Sequence, residues 1–233
     1  MKETGLMFKA PLVRAILEGS KTQTRRIVKP APAADQPLQH INTETGLTYA
    51  RSMERINFQN PRRIRWESPV GKPGDRIYVR ETWQGPLMSS KEWEDHYFSG
   101  ADDLPTKFRT PTYCKYAADG GPPPEFTTMD DETVARWKPS IHMPMWAARI
   151  WLEITGVRVE RLQQITEADA KAEGAQPWPC DHPRRSCADI DCNGPNYLAG
   201  FRHIWESTGG DWNANPWVWV IDFKTISTTG RPA

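Results

Sequence analysis

The chain has 233 residues, a net charge of +1 and a mean hydropathy of −0.69. No run of 18 apolar residues occurs and the first residues lack an apolar core, so neither a membrane span nor a secretion signal is predicted, and a cytoplasmic location is expected. Eleven Trp, seven Phe and six Tyr supply enough apolar surface for a folded core. The 21 Pro and 16 Gly favour a loop-rich, mostly β fold over a helical bundle.

Charge is unevenly distributed along the chain. Residues 1–80 hold 15 Lys/Arg and 7 Asp/Glu, whereas residues 81–233 hold 15 Lys/Arg and 22 Asp/Glu. Such an asymmetry is typical of a surface that faces nucleic acid, but it also fits two halves that pair within one fold. Composition leaves both interpretations open.

Short helices and short strands follow one another along the chain. The predicted helices span residues 10–18, 166–174 and 196–207, and the predicted strands span residues 22–27, 76–81, 149–162 and 217–224. Pro11 suits a first helical turn, and Gly19 and Gly174 suit helix ends. Thr166 with Asp169 is a predicted N-terminal cap, although Glu or Gln is the usual partner. A turn is predicted at residues 73–75, a break in the buried face of the long strand near Gly156, and fraying over residues 225–233.

The order of these elements favours an α+β fold, a small β-barrel with flanking helices. We expect a single domain over residues 1–233 with long loop insertions at about 31–69, 84–138 and 175–195. No internal repeat is present.

One short segment gathers residue types that can carry out acyl chemistry. If GSKTQTRRI contains a strand, Thr22, Thr24 and Arg26 lie on one face, and Lys21 lies at its start. A partly desolvated Lys can act as the base for a hydroxyl nucleophile, and a guanidinium can stabilise an oxyanion. The alternative is an edge strand with solvated basic side chains.

Glu173 occupies the end of its predicted helix, where the helix dipole disfavours a carboxylate. An unfavourable position indicates either a functional role or simple exposure to solvent. Taken alone, the position favours a solvated helical Glu.

A loop rich in Cys and Pro contains a candidate zinc site. Cys180, His182, Cys187 and Cys192 lie within 13 residues, and thiolate and imidazole ligands in this number suit a closed tetrahedral zinc site of a structural kind. Cys114 is an alternative fourth ligand. Four reduced thiols, without metal, are the competing interpretation.

Basic side chains are frequent in the first third of the chain. Backbone phosphate contacts and base stacking would use such residues, and the set comprises Lys21, Arg25, Arg26, Lys29, Arg51, Arg55, Arg62, Arg63 and Arg65, with Trp66 nearby. The competing interpretation is a solvated surface whose Arg side chains pair with the acidic half. Trp217 and Trp219 on the last strand are predicted to be core residues.

Three segments in this order resemble the ASCH domain family, which has a PUA-like β-barrel fold. They are Phe8-x-x-Pro11 through Gly19-x-Lys21-Thr22-x-Thr24-x-Arg26, then Lys72-Pro73-Gly74-Asp75, then Ile165-Thr166-x-x-Asp169-Ala170-x-x-Glu173-Gly174. The segments VRETW, KPSIHMP and NPWVWV are similar to those of the longer phage and prophage members. The similarity covers about residues 1–30, 70–83 and 138–224.

In its motif residues the chain resembles the N4-acetylcytidine amidohydrolases of this family. The resemblance implies that Lys21 is the general base, Thr24 the nucleophile, Arg26 a positioning residue and Glu173 the acid. It implies an amidohydrolase that acts on an N4-acylated cytosine nucleoside or a related modified base and needs no cofactor for catalysis.

Thr22 and Arg25, within the same motif, are predicted to bind the substrate. The chain is longer than those enzymes, and residues 31–69 and 84–138 have no counterpart in them. The alternative function is a non-catalytic module that binds RNA or a modified base, and a third is an accessory protein that has lost activity. No membrane partner is expected.

Overall fold

The computed structural model describes residues 1–32, 38–42, 48–52, 65–97, 106–127, 132–179 and 195–233. Its helices are α1 (Ala10–Leu17), α2 (Ser90–Tyr97), α3 (Glu167–Ala172) and α4 (Tyr197–Ser207). Its strands are β1 (Glu3–Met7), β2 (Gln23–Ile27), β3 (Leu38–Asn42), β4 (Thr48–Ser52), β5 (Arg65–Glu67), β6 (Arg76–Arg80), β7 (Trp83–Gln84), β8 (Lys115–Tyr116), β9 (Glu125–Thr127), β10 (Thr133–Ala135), β11 (Trp151–Arg161) and β12 (Trp217–Ser227).

The largest sheet has five strands in the order β1-β6-β11-β12-β2. Three smaller sheets have the orders β3-β4-β5, β7-β8 and β10-β9. Among the described residues these pairings form no closed barrel, and the observed class is a mixed α/β fold with one five-stranded sheet. No described helix combines the length and the apolar character needed to cross a bilayer.

The chain divides into two compact units. The first unit comprises Met1–Glu18, Arg76–Glu153 and Thr225–Ala233, and the second comprises Gly19–Asp75 and Ile154–Lys224. Both β11 and β12 contribute residues to each unit.

In the first unit, β1 runs parallel to β6, and the beginning of β11 pairs antiparallel with β6. Ile77 and Val79 are buried on one face of β6, whereas the alternate residues are only partly buried. This alternation is that of a strand with one face in the core, and the predicted strand over residues 76–81 is confirmed to within one residue. Helix α1 buries Val13, Ala15 and Ile16, and its predicted start and end are confirmed to within one residue.

A compact apolar cluster forms the rest of this unit's core. It contains Trp83, Cys114, Tyr116, Met143, Ala147 and Ala148. Trp83 and Trp146 meet edge to face with their ring centroids 5.6 Å apart. Part of the predicted insertion over residues 84–138 therefore contributes to the core.

In the second unit, β12 pairs antiparallel with β2, so that Ile221 lies opposite Thr24 and Val220 opposite Arg25. Helices α3 and α4 pack with these strands around a common core, which contains Leu162, Ile165, Ala170, Ala175, Phe201, Trp205, Val218 and Val220. The predicted turn before β6 is confirmed: Gly74 has φ +87°, and its N–H donates to the Ile154 carbonyl at 2.8 Å.

The predicted break in the buried face of β11 is confirmed: the strand continues through Gly156, and its buried side changes from Leu152 and Ile154 to Val157, the change of phase that an extra strand residue produces. One local prediction is wrong. The end of the chain is not frayed, because β12 extends to Ser227 and Arg231 forms an ion pair with Glu3 at 2.8 Å.

Candidate functional site

The candidate site lies in the second unit, where the start of β2 meets the end of α3. An isolated β-bridge joins Lys21 to Glu173, and the Thr22 N–H donates to the Ala172 carbonyl at 2.8 Å. Gly19, with φ +76°, ends α1 and lets the chain turn into β2. Backbone pairing therefore brings together two residues that are 152 positions apart in the sequence.

Lys21 is buried and its ammonium is surrounded by oxygen acceptors. Its Nζ donates to the Gln23 carbonyl at 2.6 Å, to the Glu173 carbonyl at 2.7 Å and to Glu173 Oε2 at 2.8 Å. Three acceptors equal the number of N–H donors on a Lys ammonium. Burial lowers the pKa of Lys21 below its usual value, and the Glu173 carboxylate opposes but does not cancel this effect.

Glu173 is positioned by the capping of a very short helix. The Thr166 Oγ1 accepts from the Asp169 N–H at 3.1 Å, and Asp169 Oδ2 accepts from the Thr166 hydroxyl at 2.8 Å, which confirms the predicted N-terminal cap. Helix α3 then ends with Glu173 as its C-cap, followed by Gly174 with φ +80°. The helix dipole disfavours a carboxylate here, and two cations, Lys21 and Arg25, offset that effect.

Arg25 holds the second oxygen of the Glu173 carboxylate. Its Nη1 donates to Glu173 Oε1 at 3.1 Å and to Gln23 Oε1 at 2.5 Å, while its Nη2 donates to Glu160 Oε1 at 2.6 Å. Asp169 Oδ2 lies 3.6 Å from the same Nη2. The Arg25 side chain therefore lies among carboxylates, and it has no solvent exposure.

A second arginine forms the outer part of this network. Arg158 donates to Glu160 at 3.2 Å, to Asp169 at 3.1 Å and to Asp222 at 2.9 Å. Burial alone raises the pKa of Asp169, but the hydrogen bonds from Thr166 and Gln23 and the charge of Arg25 outweigh burial and lower it. The network links β2, β11, β12 and α3.

The remaining motif residues occupy different environments. Thr24 is 2% exposed and lies on β2 between Gln23 and Arg25, so its side chain points to the face opposite theirs. Arg26 is partly buried, and burial lowers the pKa of its guanidinium while Glu173 raises it. Thr22 is exposed.

Several polar residues of the site are absent from the sequence prediction. Gln23 bridges Arg25 and Asp222: its Oε1 accepts from Arg25, and its Nε2 donates to Asp222 Oδ1 at 2.7 Å. On β11, Arg158 and Glu160 lie on either side of Val159. The only sequence signal is the polar alternation of Gln23 and Arg25 on a short strand, which is also typical of a solvated edge.

The predicted zinc ligands Cys180, His182, Cys187 and Cys192 lie outside the described residues, so the zinc site stays a prediction. Cys114, the alternative ligand, is buried in the first unit, and burial raises the pKa of its thiol to about 11.

The described basic residues at the candidate site, Lys21 and Arg25, do not form an open phosphate-binding surface. Lys21 and Arg25 are buried and paired with carboxylates. Trp66 is also buried, and its indole N–H donates to the Pro30 carbonyl at 2.8 Å, so it offers no face for base stacking. Trp219 is a core residue as predicted, whereas Trp217 is only partly buried. The side chains of Arg51, Arg55, Arg62, Arg63 and Arg65 lie outside the described set.

The VRETW segment in the first unit carries a separate buried ion pair. Glu81, 1% exposed, accepts from Arg149 Nε at 3.0 Å and from Arg149 Nη2 at 3.1 Å. The Arg149 guanidinium also lies 4.0 Å from the Tyr116 ring centroid. Burial raises the pKa of Glu81 even though Arg149 opposes that effect. The pair joins the end of β6 to the segment before β11.

Comparisons with protein-family models, curated proteins and solved structures give no match to this chain.

Proposed function

We propose that this chain is an amidohydrolase that acts on an N4-acylated cytosine nucleoside or a related modified base. The observation that carries the proposal is the buried Lys21–Glu173 pair, with Nζ and Oε2 2.8 Å apart, three residues before the buried Thr24 hydroxyl. Lys21, Glu173 and Thr24 occupy the positions to which the resemblance to the ASCH family assigns the base, the acid and the nucleophile. The proposal includes a PUA-like barrel as the framework of the site.

The proposed reaction requires the Thr24 hydroxyl, which the alternation along β2 turns away from Gln23 and Arg25, to reach Lys21 Nζ in the substrate complex, where neutral Lys21 removes its proton. Thr24 Oγ attacks the acyl carbonyl carbon, and the Arg26 guanidinium stabilises the resulting oxyanion. The C–N bond then breaks, the exocyclic amine of cytosine leaves with a proton supplied from the Lys21–Glu173 pair, and the acyl group remains on Thr24 as an ester. Water hydrolyses the ester, releasing a carboxylic acid and restoring the hydroxyl.

The environment of Lys21 supports its role as a base. A Lys at its ordinary pKa is protonated near neutral pH and has no lone pair, whereas burial lowers the pKa of Lys21. The neighbouring Glu173 carboxylate can accept the ammonium proton across 2.8 Å. Proton exchange within the pair therefore supplies both the base for attack and the acid for departure of the amine.

Hydrolysis of N4-acetylcytidine by the purified chain, measured by release of cytidine, tests the proposal. We expect turnover by the parent chain, loss of at least about a hundredfold in Thr24→Val and Lys21→Met, and substantial activity in Thr24→Ser, which keeps a hydroxyl at this position. Acid quenching should trap one acyl group on the peptide that carries Thr24. No turnover by a folded parent chain, or equal turnover in Thr24→Val, would reject the hydrolase. Salt-dependent RNA binding without turnover would favour the binding-module alternative.

A further inference from the structure

The Glu173 carboxylate is held from two sides by two different cations. Lys21 Nζ contacts Oε2 at 2.8 Å and Arg25 Nη1 contacts Oε1 at 3.1 Å. A carboxylate fixed at both oxygens has one orientation, whereas a carboxylate bound at one oxygen can rotate. The position of Arg25 therefore decides which oxygen Glu173 presents to Lys21.

Arg25 is itself fixed by groups other than the Lys21 ammonium. Glu160 Oε1 accepts from its Nη2 at 2.6 Å, Gln23 Oε1 accepts from its Nη1 at 2.5 Å, and the Phe201 ring centroid lies 5.7 Å from the guanidinium carbon. A planar guanidinium can bridge carboxylates in a set geometry, which the ammonium of Lys cannot do. These contacts keep the charged Arg25 side chain buried.

We propose that Arg25 is a positioning residue of the candidate site: it anchors the Glu173 carboxylate to Glu160 and so fixes the orientation in which Glu173 meets Lys21. Its relevance to turnover rests on the proposed function, but its effect on the Lys21–Glu173 pair does not. The sequence analysis predicts that Arg25 binds the substrate, whereas its side chain has no exposed surface from which to reach a substrate.

The proposal predicts how Lys21 titrates. The charged groups that act on its ammonium are Glu173, which raises its pKa, and Arg26 and Arg25, which lower it. Removing Arg25 deletes a cation and frees Glu173 to pair with Lys21 alone, so both effects raise the pKa of Lys21. Neutralising Glu160 should lower the pKa of Lys21, because Arg25 then directs its charge toward Glu173.

The test is NMR titration of ¹³Cε-labelled lysine in the full chain, with the Lys21 signal assigned from its loss in Lys21→Met. We expect Arg25→Gln to raise the pKa of Lys21 and Glu160→Gln to lower it. Arg202→Gln is the control, because it removes an exposed arginine of the second unit whose partner, Glu206, is none of the carboxylates that hold Arg25. It should leave the titration of Lys21 unchanged. General loosening of the fold would not shift the pKa of Lys21 in opposite directions in Arg25→Gln and Glu160→Gln.

The same variants give a kinetic readout when the chain turns over substrate. The acid limb of the pH profile of kcat/KM should move to higher pH in Arg25→Gln as the pKa of Lys21 rises, and a rise of one pH unit lowers activity on that limb tenfold. Changes of the same sign in all three variants, or an unchanged pKa in Arg25→Gln, would overturn the positioning role. Should Arg25→Gln fail to fold, the pKa of Lys21 in Glu160→Gln, compared with that in Arg202→Gln, decides alone. Absence of turnover with the expected NMR titrations would reject the hydrolase and leave the positioning role in place.

Discussion

Replacing Glu173 by Gln should convert the buried Lys21 into a destabilising group whose effect depends on pH. Gln keeps the shape and an acceptor oxygen but removes the negative charge that faces Lys21 Nζ at 2.8 Å. Both side chains are nearly inaccessible, with 1% and 6% exposure. The ammonium then lacks a counter-charge in a site that water does not reach, and we expect the folded variant to hold Lys21 neutral.

The magnitude follows from the proton that must be released. Lys21 has an ordinary pKa of 10.5, so neutralising it at pH 7 costs about 1.36 kcal/mol for each of roughly 3.5 pH units, or about 5 kcal/mol. That value is the upper limit, and it agrees with the roughly 3–5 kcal/mol seen when one partner of a buried ion pair is removed. We expect the free energy of unfolding at pH 7 to fall by about this amount.

The sign of the pH dependence follows from the lowered pKa. When the folded pKa of Lys21 lies below 10.5, the unfolded chain binds more protons between the two values, and stability rises with pH across that interval. Between pH 7 and pH 9 the Glu173→Gln variant should regain up to about 2.7 kcal/mol. The double variant Lys21→Met/Glu173→Gln has no amine to titrate, so it should be more stable than the single variant at pH 7 and lack this rise.

Urea denaturation at a series of pH values, followed by tryptophan fluorescence and circular dichroism, measures these differences. Comparison of the single with the double variant cancels the titration of every other group. Parallel stability curves for the two variants between pH 7 and pH 9 would refute the reasoning, because they would mean that the Lys21 ammonium keeps its charge in the folded variant.

Three further predictions concern other parts of the chain. Gly200→Ala should destabilise the protein by about 1–3 kcal/mol in urea denaturation although Ala is the better helix former, because the added Cβ would overlap the Gln176 carbonyl oxygen; a more stable variant would contradict this packing. Thr166→Ala should cost about 1 kcal/mol by removing the cap of α3, and an unchanged stability would show that the cap contributes nothing. Elemental analysis of chain purified without chelator should find about one zinc per chain, lost in Cys187→Ser; metal-free protein would remove the predicted zinc site.

Local sequence signals were sufficient for the elements whose ends carry specific residues. Pro11 and Gly19 bound α1, and Thr166 with Asp169 begins α3, so capping chemistry alone located both helices. The wrong prediction over residues 225–233 has a different origin. Fraying is expected at a chain end, but β12 extends to Ser227 and Arg231 pairs with Glu3, which lies 228 positions away and outside any local window.

In the candidate site too, local sequence predicts some features, whereas others depend on residues that are distant in the chain. The contact of Lys21 with Glu173 spans 152 residues, and only the resemblance to a family connected the two positions. Arg25 illustrates what local patterns miss: a charged residue on a short strand is usually solvated, and its burial depends on Glu160 and Asp169, which come from β11 and α3. No periodicity in the β2 segment contains that information.

The buried Lys21–Glu173 ion pair at the centre of the site is expected to contribute little to stability. Removing two charged groups from water offsets most of their mutual attraction, and well-packed apolar residues of similar size commonly serve a fold as well or better. In this chain two cations and a carboxylate occupy the junction of β2 and α3, beside the apolar residues Ala170 and Phe201. Placing Lys21 there lowers its pKa, and placing Glu173 beside it supplies a proton acceptor. A site that must move a proton needs both properties, whereas a site that only joins two elements needs neither, and this difference is why we propose a chemical role for the pair.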